Sequence, residues 1–277
     1  MPQPPSTKAL GSPFLELQSV DSTNNYARRL IKEACLPDRQ GFALHGTAIF
    51  AHEQVAGKGQ RSKVWSSEKE ANIILSLVVN PQPLQLIQQF QLSACVALAV
   101  QEFFMKYAGN ETKIKWPNDL YWQDRKAGGI LIESGIGSLS TRHTGGESAG
   151  GIWEWAIIGI GININQTDFP ADLPNPVSLK QITGKTFDTV ALAKELCAVL
   201  NEKFTELINQ GFENIYARYV HHLYKKNATI KLKKNNRMFE AVLKTISPSG
   251  KLMVQHSIEE DPIAIGFDFN DVEWVIK

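Results

Sequence analysis

The sequence predicts an α+β protein, with a mixed β-sheet backed by helices and a small all-β module after it. Two observations carry this prediction. Between Phe14 and Lys225, apolar runs of strand length alternate with long helical patterns. After Lys225, apolar and polar residues alternate, and a Ser247–Gly250 turn separates two strand patterns.

The same patterns predict three segments. Residues 1–13 are rich in Pro and Ser without apolar periodicity, so they are expected to form a flexible leader. A large domain is expected over 14–225. The β module is expected over 226–277, and its small size predicts that it docks on the larger domain.

Within the large domain, polar residues Asp21–Thr23 precede an apolar helical face and predict a loop that enters a helix there. A second amphipathic helix is expected to begin at Asp188 and to end at Gly211. The Gly- and Ser-rich segment Gly135–Gly151 is predicted to be a hairpin tip or an insertion. The other expected elements are a strand at Ile73–Val79, a buried helix within Ile87–Tyr107, and strands at Thr112–Lys115, Gly129–Glu133 and Trp153–Ile162.

Composition and net charge limit the classes of binding partner that are expected. The 277 residues are 43% hydrophobic and 21% charged, which excludes disorder of the whole chain. The net charge of +1 shows no excess of Lys and Arg of the kind that binds the phosphate backbone of nucleic acids. The expected partners are therefore small molecules or another protein. The widely separated Cys35, Cys95 and Cys197, with no signal peptide or membrane-spanning run, predict a cytoplasmic protein.

Generic nucleotide motifs fail on inspection. Gly184-Lys185-Thr186 resembles the end of a Walker A loop, but Leu179 stands where its first glycine is required. The pairs Gly57/Gly59 and Gly159/Gly161 lack the third glycine of a dinucleotide fingerprint. Neither a P-loop NTPase nor a Rossmann dehydrogenase is supported.

Four unusual clusters remain, and in this order they resemble the biotin–protein ligase family. They are Asp21-Ser22-Thr23-Asn24, Gln54-Val55-Ala56-Gly57-Lys58-Gly59-Gln60-Arg61, Lys115-Trp116-Pro117-Asn118-Asp119 with Asp124-Arg125-Lys126-Ala127-Gly128-Gly129, and Gly159-Ile160-Gly161-Ile162-Asn163. The resemblance covers about residues 14–277. Its most specific part is the K-W-P-N-D…D-R-K stretch.

The resemblance implies a class II synthetase-like catalytic domain with an SH3-like C-terminal barrel. It also implies a two-step reaction, in which biotin and ATP with Mg²⁺ give biotinyl-AMP and biotin then passes to a lysine of a carboxylase's carrier domain. The DNA-binding winged helix of some members is expected to be missing, as in the short form. Nucleic acid and membrane partners are not expected, and a homodimer is left open.

The first cluster places hydroxyl, amide and free backbone N–H groups where they can bind the small polar head group of a ligand. In the family this segment and a glutamine matching Gln54 hold biotin. Taken alone, Ser22-Thr23 would read as an ordinary helix cap. The residues expected to bind biotin are Ser22, Thr23, Asn24, Gln54, Lys58, Gly59, Gln60 and Lys126.

The second cluster is a glycine loop in which Lys58 and Arg61 can meet phosphate oxygens. Taken alone, it would read as a solvated basic turn. Many relatives carry arginine where this chain has Gln60. A neutral amide adds no charge, so the resemblance does not imply that this position neutralises a phosphate or carboxylate. The residues expected to bind ATP or the adenylate are Gly57, Lys58, Gly59, Arg61, Asn118, Lys126 and Asn163.

The residues expected to act in catalysis are Lys126, by the resemblance, and Asp119 and Arg61, by the chemistry of their side chains. Lys126 would contact the biotin carboxylate and the α-phosphate and stabilise developing charge. Asp119 would orient or deprotonate the acceptor lysine, and Asn118 with Asp119 would lie near Mg²⁺. The plainer alternatives are a surface lysine, an Asx turn at Asp119 and a tightly packed strand at Gly159–Asn163. Trp65 is expected to be a buried core residue rather than to pack beside the ligand loop.

Two other functions stay open at this point. Lipoate and octanoate ligases share the fold and the acyl-to-lysine chemistry, although the G-x-G-x-R loop and the D-R-K-x-G-G-I-L segment favour biotin. A biotin-sensing regulator without enzymatic activity is the other alternative, and it is not favoured because no DNA-binding segment is expected before Phe14 and the net charge is close to neutral.

Overall fold

The computed structural model describes residues 8–34, 44–137, 152–171, 173–256 and 264–275. Two β-sheets organise this part of the chain: a seven-stranded mixed sheet and a C-terminal five-stranded antiparallel sheet. The predicted fold class is confirmed by this arrangement of sheets and helices. Cys35 and most of the predicted 135–151 hairpin tip lie outside the described residues.

The elements follow the chain in the order β1 Phe14–Leu17, α1 Thr23–Ala34, β2 Ala48–Ala51, β3 Asn72–Val79, α2 Gln89–Ala108, β4 Thr112–Lys115, β5 Asp119–Trp122, β6 Arg125–Gly137, β7 Ile152–Asn163, α3 Leu179–Thr183, α4 Thr189–Gln210, α5 Glu213–His221, β8 Thr229–Lys234, β9 Arg237–Ile246, β10 Leu252–His256, β11 Ala264–Phe267 and β12 Glu273–Val275. The large sheet has the strand order β1-β2-β3-β7-β6-β5-β4. Its β1–β2 pair is parallel and the other pairs are antiparallel, which makes the sheet mixed.

The two faces of the large sheet have different coverings. Ile73, Leu75 and Ile160 point into the main core, where α2 and α4 pack against the sheet. The opposite face receives α1, whose Ala27 and Ile31 pack on Val78 and Ile157. This alternation follows from the two-residue period of a strand. One face therefore builds the core and the other holds α1.

Capping residues bound the long helices as the sequence predicts. The Asp188 carboxylate accepts hydrogen bonds from the backbone N–H groups of Val190 and Ala191 at 2.9 and 3.0 Å, so α4 begins there. Gly211 ends it with φ of 85°, a conformation that residues with a Cβ rarely adopt. None of the helices in the described ranges is long and apolar enough to cross a membrane.

The C-terminal sheet packs against the large domain. Buried residues of both, such as Ile230 and Ile114, belong to one continuous core. Trp116 donates from Nε1 to the Gly250 carbonyl at 2.9 Å, and Tyr216 donates from its hydroxyl to the Ile246 carbonyl at 2.6 Å. The predicted docking of this module has its physical basis in these contacts. The exact domain boundaries stay predictions.

The chain enters the fold earlier than the expected leader boundary at residue 13. Leu10 is 5% exposed, and its backbone N–H donates to Asn201 Oδ1 at 2.8 Å. The Gly11 N–H donates to the Gly46 carbonyl at 2.8 Å. A single apolar residue among Pro, Ser and Gly gives no periodic signal, so the sequence pattern missed this segment.

Candidate active site

A cavity of about 460 Å³ lies on the face of the large sheet that α1 also covers. The N-terminal end of α1 and the loop at residues 57–65 enclose it, together with Phe269 and Trp274 of the C-terminal module. A second space of about 1230 Å³ shares Lys58–Arg61 as a wall. The predicted site residues that line the first cavity are Ser22, Thr23, Asn24, Gln54, Lys58, Gly59, Gln60, Arg61, Asn118, Asp119, Lys126 and Asn163. Gly57 lines the second space.

Glycines form the sheet surface beneath the cavity. Gly159 pairs with Ser76 of β3, and Gly161 pairs with Gly129 of β6. A Cβ on Gly159 would lie 2.3 Å from Asn24 Oδ1, and one on Gly161 would lie 2.5 Å from the Trp65 ring. These distances are far inside van der Waals contact. Glycine at these positions therefore lets α1 and Trp65 approach the sheet closely.

A hydrogen-bonded group of polar residues forms one end of the cavity. Ser22, Thr23 and Asn24 are at most 4% exposed at the start of α1. Gln54 Oε1 accepts from the Thr23 backbone N–H at 2.9 Å. The Ser76 hydroxyl lies 2.7 Å from Thr23 Oγ1 and 2.6 Å from Asn24 Oδ1. This end, called the head-group end below, suits a small ligand that carries both donors and acceptors.

The charged end of the cavity contains two lysines around one carboxylate. Lys126 donates from Nζ to Asp119 Oδ1 at 2.7 Å, and Lys115 Nζ lies 3.8 Å from Asp119 Oδ2. A register shift between Leu120 and Tyr121 makes Lys126 the partner of Tyr121 in β5. Two cations and one anion leave a net positive charge, which favours a ligand that carries a carboxylate or a phosphate.

Lys115, which precedes Trp116 in the third cluster, is buried beside Asp119 and two aromatic rings. Burial lowers the pKa of its ammonium group from the ordinary 10.5, while the Asp119 carboxylate opposes that shift. Its Nζ lies 5.4 Å from the ring centroid of Tyr121 and 5.3 Å from that of Trp274. Trp274 is far from Lys115 in the sequence, so this contact could not be predicted from the motif alone.

The loop at residues 57–65 is a short, hydrogen-bonded hairpin. The Gly59 N–H donates to the Lys63 carbonyl at 2.7 Å, and the Trp65 N–H donates to the Gly57 carbonyl at 3.0 Å. A Cβ on Gly57 would lie 2.2 Å from the Trp65 carbonyl oxygen. Trp65 is half-buried over Gly161 and lines the cavity, which corrects the expectation of a core tryptophan.

Arg61 is directed toward the C-terminal module. Its guanidinium donates to the Phe269 carbonyl and lies 4.5 Å from the centroid of the Phe269 ring. It also donates to the Val272 carbonyl at 3.4 Å. Its backbone φ is 53°, in the left-handed region that non-glycine residues seldom occupy. In this structure the arginine joins the loop to the module, and its catalytic role stays a prediction.

Two asparagines of the expected adenylate site make internal hydrogen bonds. Asn118 donates from Nδ2 to the Ile130 carbonyl, and Asn163 donates from Nδ2 to the Val177 carbonyl at 3.1 Å. Their side chains are 9% and 5% exposed. Their amide donors therefore brace the strands around the cavity. Their carbonyl oxygens remain for the expected contacts with the adenylate.

The Asn118–Asp119 pair does not fit a protein-held Mg²⁺. Both Asp119 oxygens face lysine ammonium groups, which repel a cation. Within the described ranges, no group of three or more His, Cys, Asp or Glu side chains is placed to hold a metal. Without a ligand's negative charge the local charge disfavours a cation here, and the expectation that ATP carries Mg²⁺ near these two residues stays a prediction.

The chain matches one protein-family model and several known ligases. Residues 18–153 match the model of the Biotin/lipoate A/B protein ligase family. The chain is 32% identical over 213 residues to the bifunctional ligase/repressor BirA of Bacillus spizizenii, covering 76% of this chain and 59% of that protein. It is 28% identical over 246 residues to a biotin–[acetyl-CoA-carboxylase] ligase of Paracoccus denitrificans, covering 86% and 92%.

The fold has solved counterparts. A biotin protein ligase from Aquifex aeolicus in complex with biotin and ATP superposes with a TM-score of 0.73 at 22% identity, covering 95% of this chain and 99% of that one. One from Leishmania major in complex with biotin gives 0.60 at 20% identity, covering 92% and 98%. The two-sheet α+β architecture is thus that of ligase structures. In sequence the chain is similar to these ligases, and residues 18–153 carry the signature of the Biotin/lipoate A/B protein ligase family.

Proposed function

We propose that this chain activates biotin with ATP to form biotinyl-5′-AMP and then transfers biotin to a lysine of a carrier protein. One observation carries the proposal: the four sequence clusters meet around one cavity, with a polar head-group end and a charged Lys126–Asp119–Lys115 end. Biotin has the matching polarity, a ureido ring at one end and a carboxylate at the other. The chain spans 59% of the BirA relative's own length, so the activity is argued here from the site.

In the first step, a carboxylate oxygen of biotin bonds to the α-phosphorus of ATP. The bond from that phosphorus to the bridging oxygen breaks, and pyrophosphate leaves. Lys126 is 30% exposed at the cavity and is the group proposed to meet the negative charge that develops on the α-phosphoryl oxygens. Lys115, which is 11% exposed, adds positive charge from behind Asp119. Mg²⁺ enters as the counter-ion of ATP, held by its phosphates.

In the second step, the neutral amine of the acceptor lysine bonds to the acyl carbon, and AMP leaves with the bonding electrons. AMP is a good leaving group, so the protein mainly has to orient the amine and exclude water. Asp119 is proposed to hold the incoming ammonium and to accept its proton. Phe269 and Trp274 of the C-terminal module line the same cavity, and this supports a role for the module in covering the adenylate.

The proposed acceptor is the carrier domain of a carboxylase, by analogy with the Paracoccus denitrificans relative's name. A cytoplasmic location is proposed because Cys95 and Cys197 are both free and buried. The oligomeric state stays open, and a homodimer is one possibility. Sedimentation of the protein with and without biotin and ATP measures whether a homodimer forms.

The experiment separates biotin from lipoate, because the matched family includes ligases for both. The protein is incubated with ATP, Mg²⁺, a biotin carrier domain and a lipoyl carrier domain, and with either biotin or lipoate. We expect biotin alone to support pyrophosphate exchange into ATP and to add one biotinyl mass to its carrier. Exchange with lipoate and none with biotin would refute the proposal, and a gel shift with operator-like DNA tests the regulator alternative.

A further inference from the structure

Glu133 lies behind the head-group end, on the cavity-side face of β6. Its Oε2 accepts from Asn24 Nδ2 at 2.9 Å, and the Arg28 guanidinium donates to its other oxygen. Asn24 and Arg28 are four residues apart on α1, so one helix face brings both to the same carboxylate. The Glu133 side chain is 22% exposed, and it lines the second space and not the cavity of the head-group end.

This carboxylate determines how the Asn24 amide is turned. An asparagine amide offers a donor on one side and an acceptor on the other, whereas an ionised carboxylate only accepts. Asn24 must therefore present Nδ2 to Glu133, which directs Oδ1 toward Ser76, 2.6 Å away. A neutral partner at position 133 would accept either orientation of the amide.

The orientation of the Asn24 amide fixes which of the neighbouring hydroxyl groups donates and which accepts. Ser76 has one hydroxyl proton and donates it to Asn24 Oδ1, so the Ser76 oxygen accepts at its contact with Thr23. The single proton of Thr23 is therefore donated to the Ser76 oxygen at 2.7 Å. Thr23 Oγ1 is left as an acceptor toward the cavity.

Gln54 has the complementary polarity. Its Oε1 accepts from the Thr23 backbone N–H at 2.9 Å, which leaves its Nε2 as a donor. The head-group end thus offers a fixed acceptor at Thr23 and a fixed donor at Gln54. A cyclic urea carries N–H donors and a carbonyl acceptor, so it needs this pairing of one acceptor with one donor.

We propose that Glu133 is a positioning residue that fixes the donor and acceptor pattern of the head-group end and thereby determines its affinity for the ureido ring of biotin. The proposal rests on biotin being the substrate. Because Glu133 acts on the head-group end through Asn24, its loss weakens biotin binding more than ATP binding.

The test exchanges the donor and acceptor of the Asn24–Glu133 pair. Glu133→Gln keeps the size but lets the Asn24 amide turn either way, and we expect the biotin Kd to rise about tenfold. Asn24→Asp sets one carboxylate against another and should raise the biotin Kd further. In the double variant Asn24→Asp/Glu133→Gln, the new amide donates to the new carboxylate, which still accepts from Ser76. The double variant should therefore bind biotin better than Asn24→Asp alone.

Biotin Kd is measured by calorimetry, ATP KM by pyrophosphate exchange at saturating biotin, and folding by thermal melting. Glu154→Gln is the matched control, because Glu154 is exposed on the neighbouring strand β7. An unchanged biotin Kd in Glu133→Gln, additive losses in the double variant, or biotin and ATP affinities that fall together with the melting temperature would each overturn the inference. Wild-type protein that does not bind biotin would instead overturn the proposed function.

Discussion

Lys126 donates from Nζ to Asp119 Oδ1 at 2.7 Å, across a register shift between two adjacent strands. Lys115 approaches the other oxygen of the same carboxylate, at 3.8 Å. The group proposed to stabilise the first transition state and the group proposed to handle the acceptor amine therefore contact each other directly. Variants of the two residues should separate the two chemical steps.

Lys126→Ala should slow biotin-dependent pyrophosphate exchange by about 10²–10³-fold, as expected when one preorganised charge stabiliser is removed. The measurement needs no acceptor protein, because adenylation precedes transfer. Exposed Lys69→Ala removes the same charge away from the cavity and is the control. Exchange at near-normal rates in Lys126→Ala would remove this lysine from the site.

Asp119→Asn should slow transfer more than adenylation, because an amide cannot take the proton of the acceptor ammonium. We expect a loss of about 10²-fold in transfer from preformed biotinyl-AMP, measured in a single turnover. Adenylation is followed in parallel by pyrophosphate exchange. Equal losses in both steps would show that Asp119 only holds the two lysines in place.

Gln60→Arg should change the release of biotinyl-AMP less than about fivefold, because one solvent-screened charge contributes about 0–1 kcal/mol. Lys58 and Lys63 still line the cavity beside Gln60, although Arg61 is engaged by the Phe269 carbonyl. Released adenylate and biotin on an unrelated lysine-rich protein are both measured. A larger drop in Gln60→Arg would assign retention to this position, and no effect in Gln60→Gly would argue against the loop's role.

Leu10→Ala should lower the free energy of unfolding by about 2–5 kcal/mol, the usual range for a leucine removed from a core. Deleting residues 1–12 should also destabilise the protein, since it removes the Leu10–Asn201 and Gly11–Gly46 hydrogen bonds. Urea unfolding measures both. Ile87→Ala is the control, because Ile87 is 86% exposed. Equal stability of Leu10→Ala and Ile87→Ala would contradict the observed burial.

His45 should make stability sensitive to mild acid. Burial lowers its pKa from the ordinary 6.5, and its Nδ1 accepts from the Asn80 backbone N–H at 3.0 Å. Between the lowered pKa and 6.5 the unfolded chain binds more protons, so the free energy of unfolding falls as the pH drops through that window.

Melting temperatures between pH 8 and pH 5 check the direction of this effect. His45→Gln keeps an acceptor but does not titrate, so its pH dependence should be shallower. Some dependence will remain, because burial also lowers the pKa of His222. Identical slopes in wild type and His45→Gln would exclude His45 as the cause.

Local signals determined much of the fold from the sequence alone. Asp188 and Gly211 mark the ends of α4 by chemistry that acts within one helical turn. The Ile73–Val79 run differs from its strand by one residue. Short elements without such signals, including β1, β2 and α5, were missed, since their formation depends on long-range pairing and packing.

The clusters that mark the family were also readable from the sequence, because each is a short run of unusual residue types. Their mutual arrangement was not. Asn24 meets Glu133 across 109 positions, and Arg61 meets Phe269 across 208. The direction of the Arg61 side chain, the burial of Leu10 and the internal bonds of Asn118 and Asn163 depend on which strands pair and in which register. Those choices are made by burial of the whole core, and only the tertiary structure decides them.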